Sequence, residues 1–312
     1  MRGRVLLIGS MFAALVVAAL TTVVLMLVEP TLSKAEAIKT GGLAGGAVVA
    51  LYALWLNDRR RRTDEARHEL ESDKAADERF ARSVELLGNQ ADQVRVGALH
   101  ALAWLADSVP RYKQTVLDVF CAYLRRPFIH PSYQARADDP DQIVPDDSSE
   151  ADRERQVRLT AQRLIADLLP WGRNPDPTAY HLDLSGASLE YLRLEGRRIG
   201  RLTARRTRFF GITRLSGLHA GKPALFTGAA FLGRLDLREA QFKGGISFQD
   251  TTFDGEVAVN GASVSTFIDL NTDAPERQAG TLTITEGTVV KGDAGRWASG
   301  DLSTRSITPD EH

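Results

Sequence analysis

Residues 207–272 read TRFFGITRLSG, LHAGKPALFTG, AAFLGRLDLRE, AQFKGGISFQD, TTFDGEVAVNG and ASVSTFIDLNT, six consecutive units of eleven. The third residue of each is Phe209, Ala220, Phe231, Phe242, Phe253 or Val264, and the ninth is Leu215, Phe226, Leu237, Phe248, Val259 or Leu270. The fifth is Gly211, Lys222, Gly233, Gly244, Gly255 or Thr266, and the seventh is usually small or apolar. Each unit therefore predicts two short alternating strands joined by tight corners. A fixed short period means a solenoid, in which each repeat buries its apolar residues only by stacking on its neighbours. Solenoids generally serve as surfaces for holding a partner rather than as pockets for chemistry.

Just upstream the period shortens. In HLDLSGASLEYLRLEGRRIG, Leu184, Leu189, Leu194 and Ile199 are five apart, and the triplets LDL, ASL and LRL set a polar residue between two inward positions. This pattern resembles the pentapeptide-repeat family, whose unit is Ala, Asp or Asn, Leu and two variable residues. The resemblance implies a right-handed, quadrilateral β-helix with one pentapeptide per face. The eleven-residue units look like a paired variant, one residue longer per two faces, so two units complete a coil.

Six units then give three coils, and the pentapeptide stretch gives about one more. TLTITEGTVV, at 281–290, adds a half coil after the interruption NTDAPERQAG. Four to five coils at roughly 4.8 Å per strand make a rod about 20–25 Å long. The expected core is Leu184, Leu189, Leu194, Phe209, Leu215, Phe226, Phe231, Leu237, Phe242, Phe248, Phe253, Val259 and Val264 within a β-helix over 181–290. Arg197 falls where a small inward residue is expected, which leaves either a distorted face or a shifted register.

At 312 residues the chain can hold two domains plus appendages. Its formal net charge of −1 carries no bulk signature of nucleic-acid binding. Of its 39 basic residues 32 are arginine, which with abundant Ala and Gly suggests a GC-rich bacterial genome. The single cysteine, Cys121, excludes an intramolecular disulfide, suits a reducing compartment, and reads as a small buried apolar residue rather than a reactive thiol.

Two apolar runs precede the repeats. The first, at 5–28, would be roughly 36 Å long as a helix, enough to cross a ~30 Å hydrocarbon core and too long for a signal-peptide core. The second, at 40–56, is shorter, roughly 26 Å, with Lys39 able to snorkel at one end and Tyr52 and Trp55 at the other interface. The expected arrangement over 1–56 is a transmembrane hairpin. Arg2 and Arg4 precede it and Arg59, Arg60, Arg61 and Arg62 follow it, so the positive-inside rule puts both termini in the cytoplasm. The expected location is a bacterial inner membrane, crossed more than once. The four-arginine run is a topology signal that also suits anionic lipid. Gly41, Gly42, Gly45 and Gly46 form two small-xxx-small pairs for close helix packing, against the first span or against a second copy.

Residues 57–133 read as a cytosolic helical region. Its first helix is charged and gains an apolar stripe late, at Phe80, Val84 and Leu87. Val94, Ala98, Leu102 and Leu105 mark a second helix, and Val116, Leu117, Phe120, Tyr123 and Leu124 a third, together like one HEAT-type hairpin. Residues 134–152 are rich in Asp, Pro and Ser and read as a flexible acidic linker. Residues 153–172 hold a helix expected to cap the open end of the solenoid, since a bare end exposes unpaired strand edges. Residues 291–312 are expected to be mostly disordered. This order of parts, over roughly 78–264, resembles the membrane-anchored pentapeptide-repeat proteins of actinobacteria. That resemblance implies no catalytic residues.

No GxxxxGK[ST], GxSxG, HExxH or CxxC pattern occurs. His100, His130, His181 and His219 are scattered and read as structural, with His219 in the least regular unit beside Lys222 and Pro223. No catalytic, cofactor or metal residue is expected. The favoured reading is a non-enzymatic, membrane-tethered scaffold with an unidentified protein partner, homo-oligomerisation being one form of it.

The alternative is a DNA-mimic modulator of gyrase, as some pentapeptide-repeat proteins are. It would need an acidic rod, whereas residues 181–264 carry twelve Lys and Arg against eight Asp and Glu. A further reading has the Arg-rich first coils (Arg193, Arg197, Arg198, Arg201, Arg205, Arg206, Arg208 and Arg214) contact anionic lipid or nucleic acid, of which the neutral overall charge disfavours nucleic acid.

Overall fold

The computed structural model describes residues 2–28, 34–133, 149–172, 178–293 and 297. It divides into two compact units, 1–77 and 78–312.

In the first unit, helix α1 (Arg2–Val28) runs antiparallel to the start of helix α2 (Lys34–Leu87). A methyl group added at Gly45 would meet the Ala14 carbonyl and the Ala18 Cβ at 3.0 Å, and one at Gly41 would overlap Thr22 Oγ1 and the Ala18 carbonyl. Gly42 and Gly46 lie one residue round the helix and face open space, so two of the four glycines serve this contact. Of the two expected spans, one segment among the described residues is long and apolar enough to cross a membrane. It is Ile38–Arg59, longer than the expected 40–56. Among the described residues of α1 the apolar stretch is Met11–Val24, about 21 Å at helical rise, within a helix of 27 residues.

In the second unit, the end of α2 packs with helices α3 (Asp92–Ser108), α4 (Lys113–Leu124) and α5 (Ser149–Leu168). The expected hairpin is α3 and α4, joined through a 3-10 turn at Pro110–Tyr112, and α5 packs on both. Phe80 stacks on Tyr112 at 5.5 Å. Leu99, Leu102, Val116, Leu117, Phe120 and Val157 are fully buried, and this core runs without a break into that of the repeats. The expected acidic linker lies outside the described residues as far as 148. Residues 149–152 are already helical.

The repeats form a β-solenoid of four parallel sheets. Its first face stacks Leu182–Asp183, Leu202–Thr203, Ala224–Leu225, Ile246–Ser247, Phe267–Leu270 and Val289–Gly292, which makes five turns. The second face begins at Ser188–Glu190, the third at Thr213–Arg214 and the fourth at Arg198–Ile199. Leu182 pairs with Leu202, twenty residues on. From there the step is twenty-two, Leu202 to Ala224 to Ile246 to Ile268 to Val290. The coil thus lengthens where pentapeptides give way to paired units of eleven.

The two added residues sit at alternate corners. Between the fourth and first faces, Ile199 and Leu202 are separated by two residues, whereas Ala220 and Ala224 are separated by three. The insertion is the fifth position of each unit, where glycine recurs. At the corner between the second and third faces Gly233 has no room for a side chain, since a methyl there would overlap the Gly211 carbonyl of the coil below. The other two corners turn on a positive φ at the last residue of a unit, which Gly217, Gly228 and Gly261 adopt freely and Glu239 and Asp250 adopt at some cost.

Inside, equivalent positions stack. Phe209, Phe231 and Phe253 form one column, with ring centroids 4.5 and 5.5 Å apart and planes within 5°. Phe226 and Phe248 form a second, at 5.5 Å, and the columns meet at tilted angles. Trp297 ends both, stacked on Phe248 at 5.6 Å and edge-on to Phe253 at 5.5 Å. Trp297 is fully buried and its carbonyl accepts the Leu282 N–H at 2.9 Å, so the expectation of a disordered 291–312 fails at this residue and at the strand reaching Gly292. The remainder of that tail lies outside the described residues. The expected half coil at 281–290 is also longer: strands at Gln278–Ala279, at the end of the interruption, and at Thr283–Ile284 and Val289–Gly292 after it fill three faces.

Phe231→Ala should cost about 3–5 kcal/mol, since it opens a gap between stacked rings. Gly233→Ala should lower the thermal midpoint where Gly42→Ala leaves it unchanged. Urea and thermal unfolding of the three variants check both statements, and an undisturbed Gly233→Ala protein would refute the corner geometry.

Candidate interaction surface

The first coil has no coil beneath it, so its lower edge needs other partners. On the first face, the Gln114 amide of α4 takes up the backbone of His181, donating to its carbonyl at 2.9 Å and accepting its N–H at 2.8 Å. Arg125 pairs with Asp183 beside it.

On the second face, Arg158 of α5 is buried and donates to the carbonyls of Leu124 at 2.5 Å and Ser188 at 3.2 Å, with Phe128 4.9 Å from its guanidinium. Arg155 clasps the buried Glu190 with two hydrogen bonds of 2.6 Å. Tyr133 stacks on Phe210 at 3.9 Å.

On the fourth face, the Arg198 N–H donates to Pro170 O at 2.8 Å. Arg197 settles its anomalous position here. Its side chain leaves the core and reaches the C-terminal end of α5, donating to Leu169 O at 3.4 Å with Asp167 3.8 Å away. A cation at a helix C-terminus is favoured by the helix dipole. The coil itself keeps its register, with Leu194 and Ile199 buried on either side.

The outer arginines divide into two sets. On the third face they are matched: Glu195 lies 3.3 Å from Arg193 and 3.7 Å from Arg214, Glu256 lies 3.8 Å from Arg234, and Arg238 binds Asp236 through bonds of 2.8 and 2.6 Å. Burial raises the pKa of Asp236, but the Arg238 bonds outweigh it and hold the carboxyl below its usual range. Arg198, Arg201, Arg205, Arg206 and Arg208, on the fourth, first and second faces, are exposed and have no ion pair among the described residues.

The remaining candidate side chains are structural in their surroundings. Cys121 is buried and burial pushes its thiol up to about 12, so it stays protonated. His130 is buried with Nε2 3.0 Å from Asp152, and His219 Nδ1 lies 2.8 Å from Gly217 O. His100 is exposed on α3. At the end of the apolar segment of α2, the Arg59 guanidinium lies 5.4 Å over Trp55 and Arg61 bonds Glu65 at 2.9 Å, while the side chains of Arg60 and Arg62 lie outside the described residues. Of the expected core positions, Leu184, Leu189, Leu194, Phe209, Leu215, Phe226, Phe231, Leu237, Phe242, Phe248, Val259 and Val264 are buried, and Phe253 is half-buried against them. The capping residues Gln114, Tyr133, Arg155 and Arg158 carry no periodic mark in the sequence.

These parts define a β-solenoid with a helical cap, a protein-interaction type of fold. Residues 221–263 match the family model described as pentapeptide repeats (9 copies). No curated protein and no solved structure matches the chain.

His181 gives the cap a pH dependence. Its Nδ1 accepts the Arg201 N–H at 2.9 Å, which requires that nitrogen unprotonated. Burial first, then the charges of Lys222 and Arg201, lower its pKa below the usual histidine value. The stabilisation is therefore complete above the unfolded value of about 6.5 and is lost as pH falls through the lower folded value. The thermal midpoint should drop between pH 7 and pH 5, and by less in His181→Gln, whose amide oxygen accepts without titrating. Equal drops in the two proteins would exclude His181 as the cause.

Proposed function

We propose that the chain is a non-enzymatic, membrane-tethered interaction module that presents its β-solenoid to a protein partner in the cytosol. The observation that carries this reading is the filled interior. Stacked rings occupy the solenoid from Phe209 to Trp297, so what it offers is the outer surface of four flat sheets.

The tether is Ile38–Arg59, whose Leu43, Leu51 and Leu54 are exposed apolar side chains that a bilayer would cover. Tyr52 and Trp55, 5.9 Å apart, suit the interface, and Arg59–Arg62 just beyond assign the following residues to the cytoplasmic side. The antiparallel contact of α1 with Gly41 and Gly45 supports a start of α1, with Arg2 and Arg4, on that same side if both helices cross together. A second copy of the chain is one candidate partner.

The exposed, unmatched arginines of the first coils favour a second reading, contact with an anionic surface, in which binding would weaken steeply with salt. Their sign opposes mimicry of nucleic acid.

Proximity labelling from a C-terminal fusion in the native cell should return a short, reproducible set of envelope-associated proteins. Enrichment of gyrase subunits instead would overturn the scaffold reading. Protease added outside intact spheroplasts should leave residues 57–312 uncut, and digestion there would overturn the topology.

A further inference from the structure

Charge alternates along the third face and does not along the corner between the fourth and first faces. On the third face each outer arginine has an acid beside it: Glu195 for Arg193 and Arg214, Glu256 for Arg234, Asp236 for Arg238. The corner carries Arg201, Lys222 and Lys243 on successive coils, all exposed and without an ion pair among the described residues. Lys222 N–H donates to Gly200 O and Lys243 N–H to Ala220 O, both at 2.9 Å, so each cation stands one strand spacing, about 4.8 Å, above the last. Arg198 joins them from the fourth face, where its strand pairs with that of His219. Among the described residues the first acid on this corner is Glu286, two coils above Lys243.

Lys222 also departs from the repeat. It fills the fifth position of its unit, which is glycine at 211, 233, 244 and 255. A lysine fits because the coil beneath turns this corner with one residue fewer and sets Gly200 under it. Pro223 then fixes the φ of the next residue. Gly244 closes over the Lys222 backbone with no space for a methyl group between them, so the lysine side chain leaves the rod outward. Like charges stacked at this pitch repel one another and contribute nothing to the fold.

We propose that this corner is a contact for the phosphate headgroups of an anionic bilayer. Its flanks favour headgroups over a protein. The outward positions beside it are Arg198, His219 and Gln241 on the fourth face and Thr203, Leu225 and Ser247 on the first, of which Leu225 alone is apolar and is half-buried. A protein interface has a desolvated, charge-poor centre, which these flanks lack. A headgroup layer needs only positive charge, and lysine, a compact charge on a flexible stem, meets phosphates without the fixed geometry of an arginine fork.

This deepens the reading of an anionic contact and rests on it. The test uses the full chain in phosphatidylcholine nanodiscs, floated with vesicles of phosphatidylcholine alone or with phosphatidylglycerol added. Binding should require phosphatidylglycerol and fall as salt rises. The double variant Lys222→Gln, Lys243→Gln should weaken it about thirtyfold, the effect of removing two basic residues near an anionic surface. The thermal midpoint of that variant without vesicles should stay or rise, because a repulsion has been removed. Arg205→Gln with Arg206→Gln, on the far corner of the first face, should weaken binding less. Native-like binding by the lysine variant, or an equal or larger loss in the arginine variant, would overturn the corner while sparing the anionic contact. Capture of polyaspartate without capture of either vesicle would overturn the lipid and leave an acidic protein as the occupant. No binding to vesicles or polyaspartate at low salt would overturn the proposal and the anionic reading together.

Discussion

Each coil of this solenoid is hydrogen-bonded backbone to backbone with the next, in parallel and at fixed register. Residue identity at one level therefore constrains identity at the next. A phenylalanine at Phe209 is best continued by Phe231 and Phe253, because rings offset by one strand spacing stack on their own kind. The same rule acts on the outside of the corners. The residue that lengthens each unit from the pentapeptide pattern must fit between two backbone turns, so the fifth position is glycine at 233, 244 and 255, each pressed against the corner beneath it. Core and corner chemistry are two consequences of one stacking distance.

This is why the repeats were legible and their surroundings were not. A contact repeated every eleven or twenty-two residues writes a period into the chain. A contact made once writes nothing. Gln114 meets His181 and Arg158 meets Ser188 across long stretches of sequence, and neither pair differs in composition from an ordinary helix surface facing an ordinary loop. Arg197 stood out in the sequence only as a violation. Its position is satisfied because the coil it belongs to is the first, where an inward residue has the end of a helix for a neighbour. Trp297 was missed for the complementary reason: it completes the ring columns from beyond the last repeat, across residues with no repeat pattern of their own.

The apolar segment of α2 shows a similar division. Composition alone marks an apolar run, but it does not choose among four glycines for the helix contact. Gly41 and Gly45 share a face with each other and not with Gly42 and Gly46, so a one-residue offset separates a packed stripe from an open one. Length misled as well. The apolar stretch of α1 among the described residues is shorter than the uncharged run in the sequence, and the segment in α2 extends past the run to Arg59, where cation and indole sit together at the polar end.

The ends of a stacked structure are its weakest places, and this chain treats them unequally. At the first coil, helices supply an amide, a guanidinium and a backbone carbonyl to three of the four edges, each a different chemical solution to the same unpaired strand. Beside the remaining edge runs α5, whose Gln162 keeps a buried amide oxygen without a hydrogen-bond partner among the described residues. In the same region the outer acids are spent on the third face while the arginines of the neighbouring faces stay unmatched.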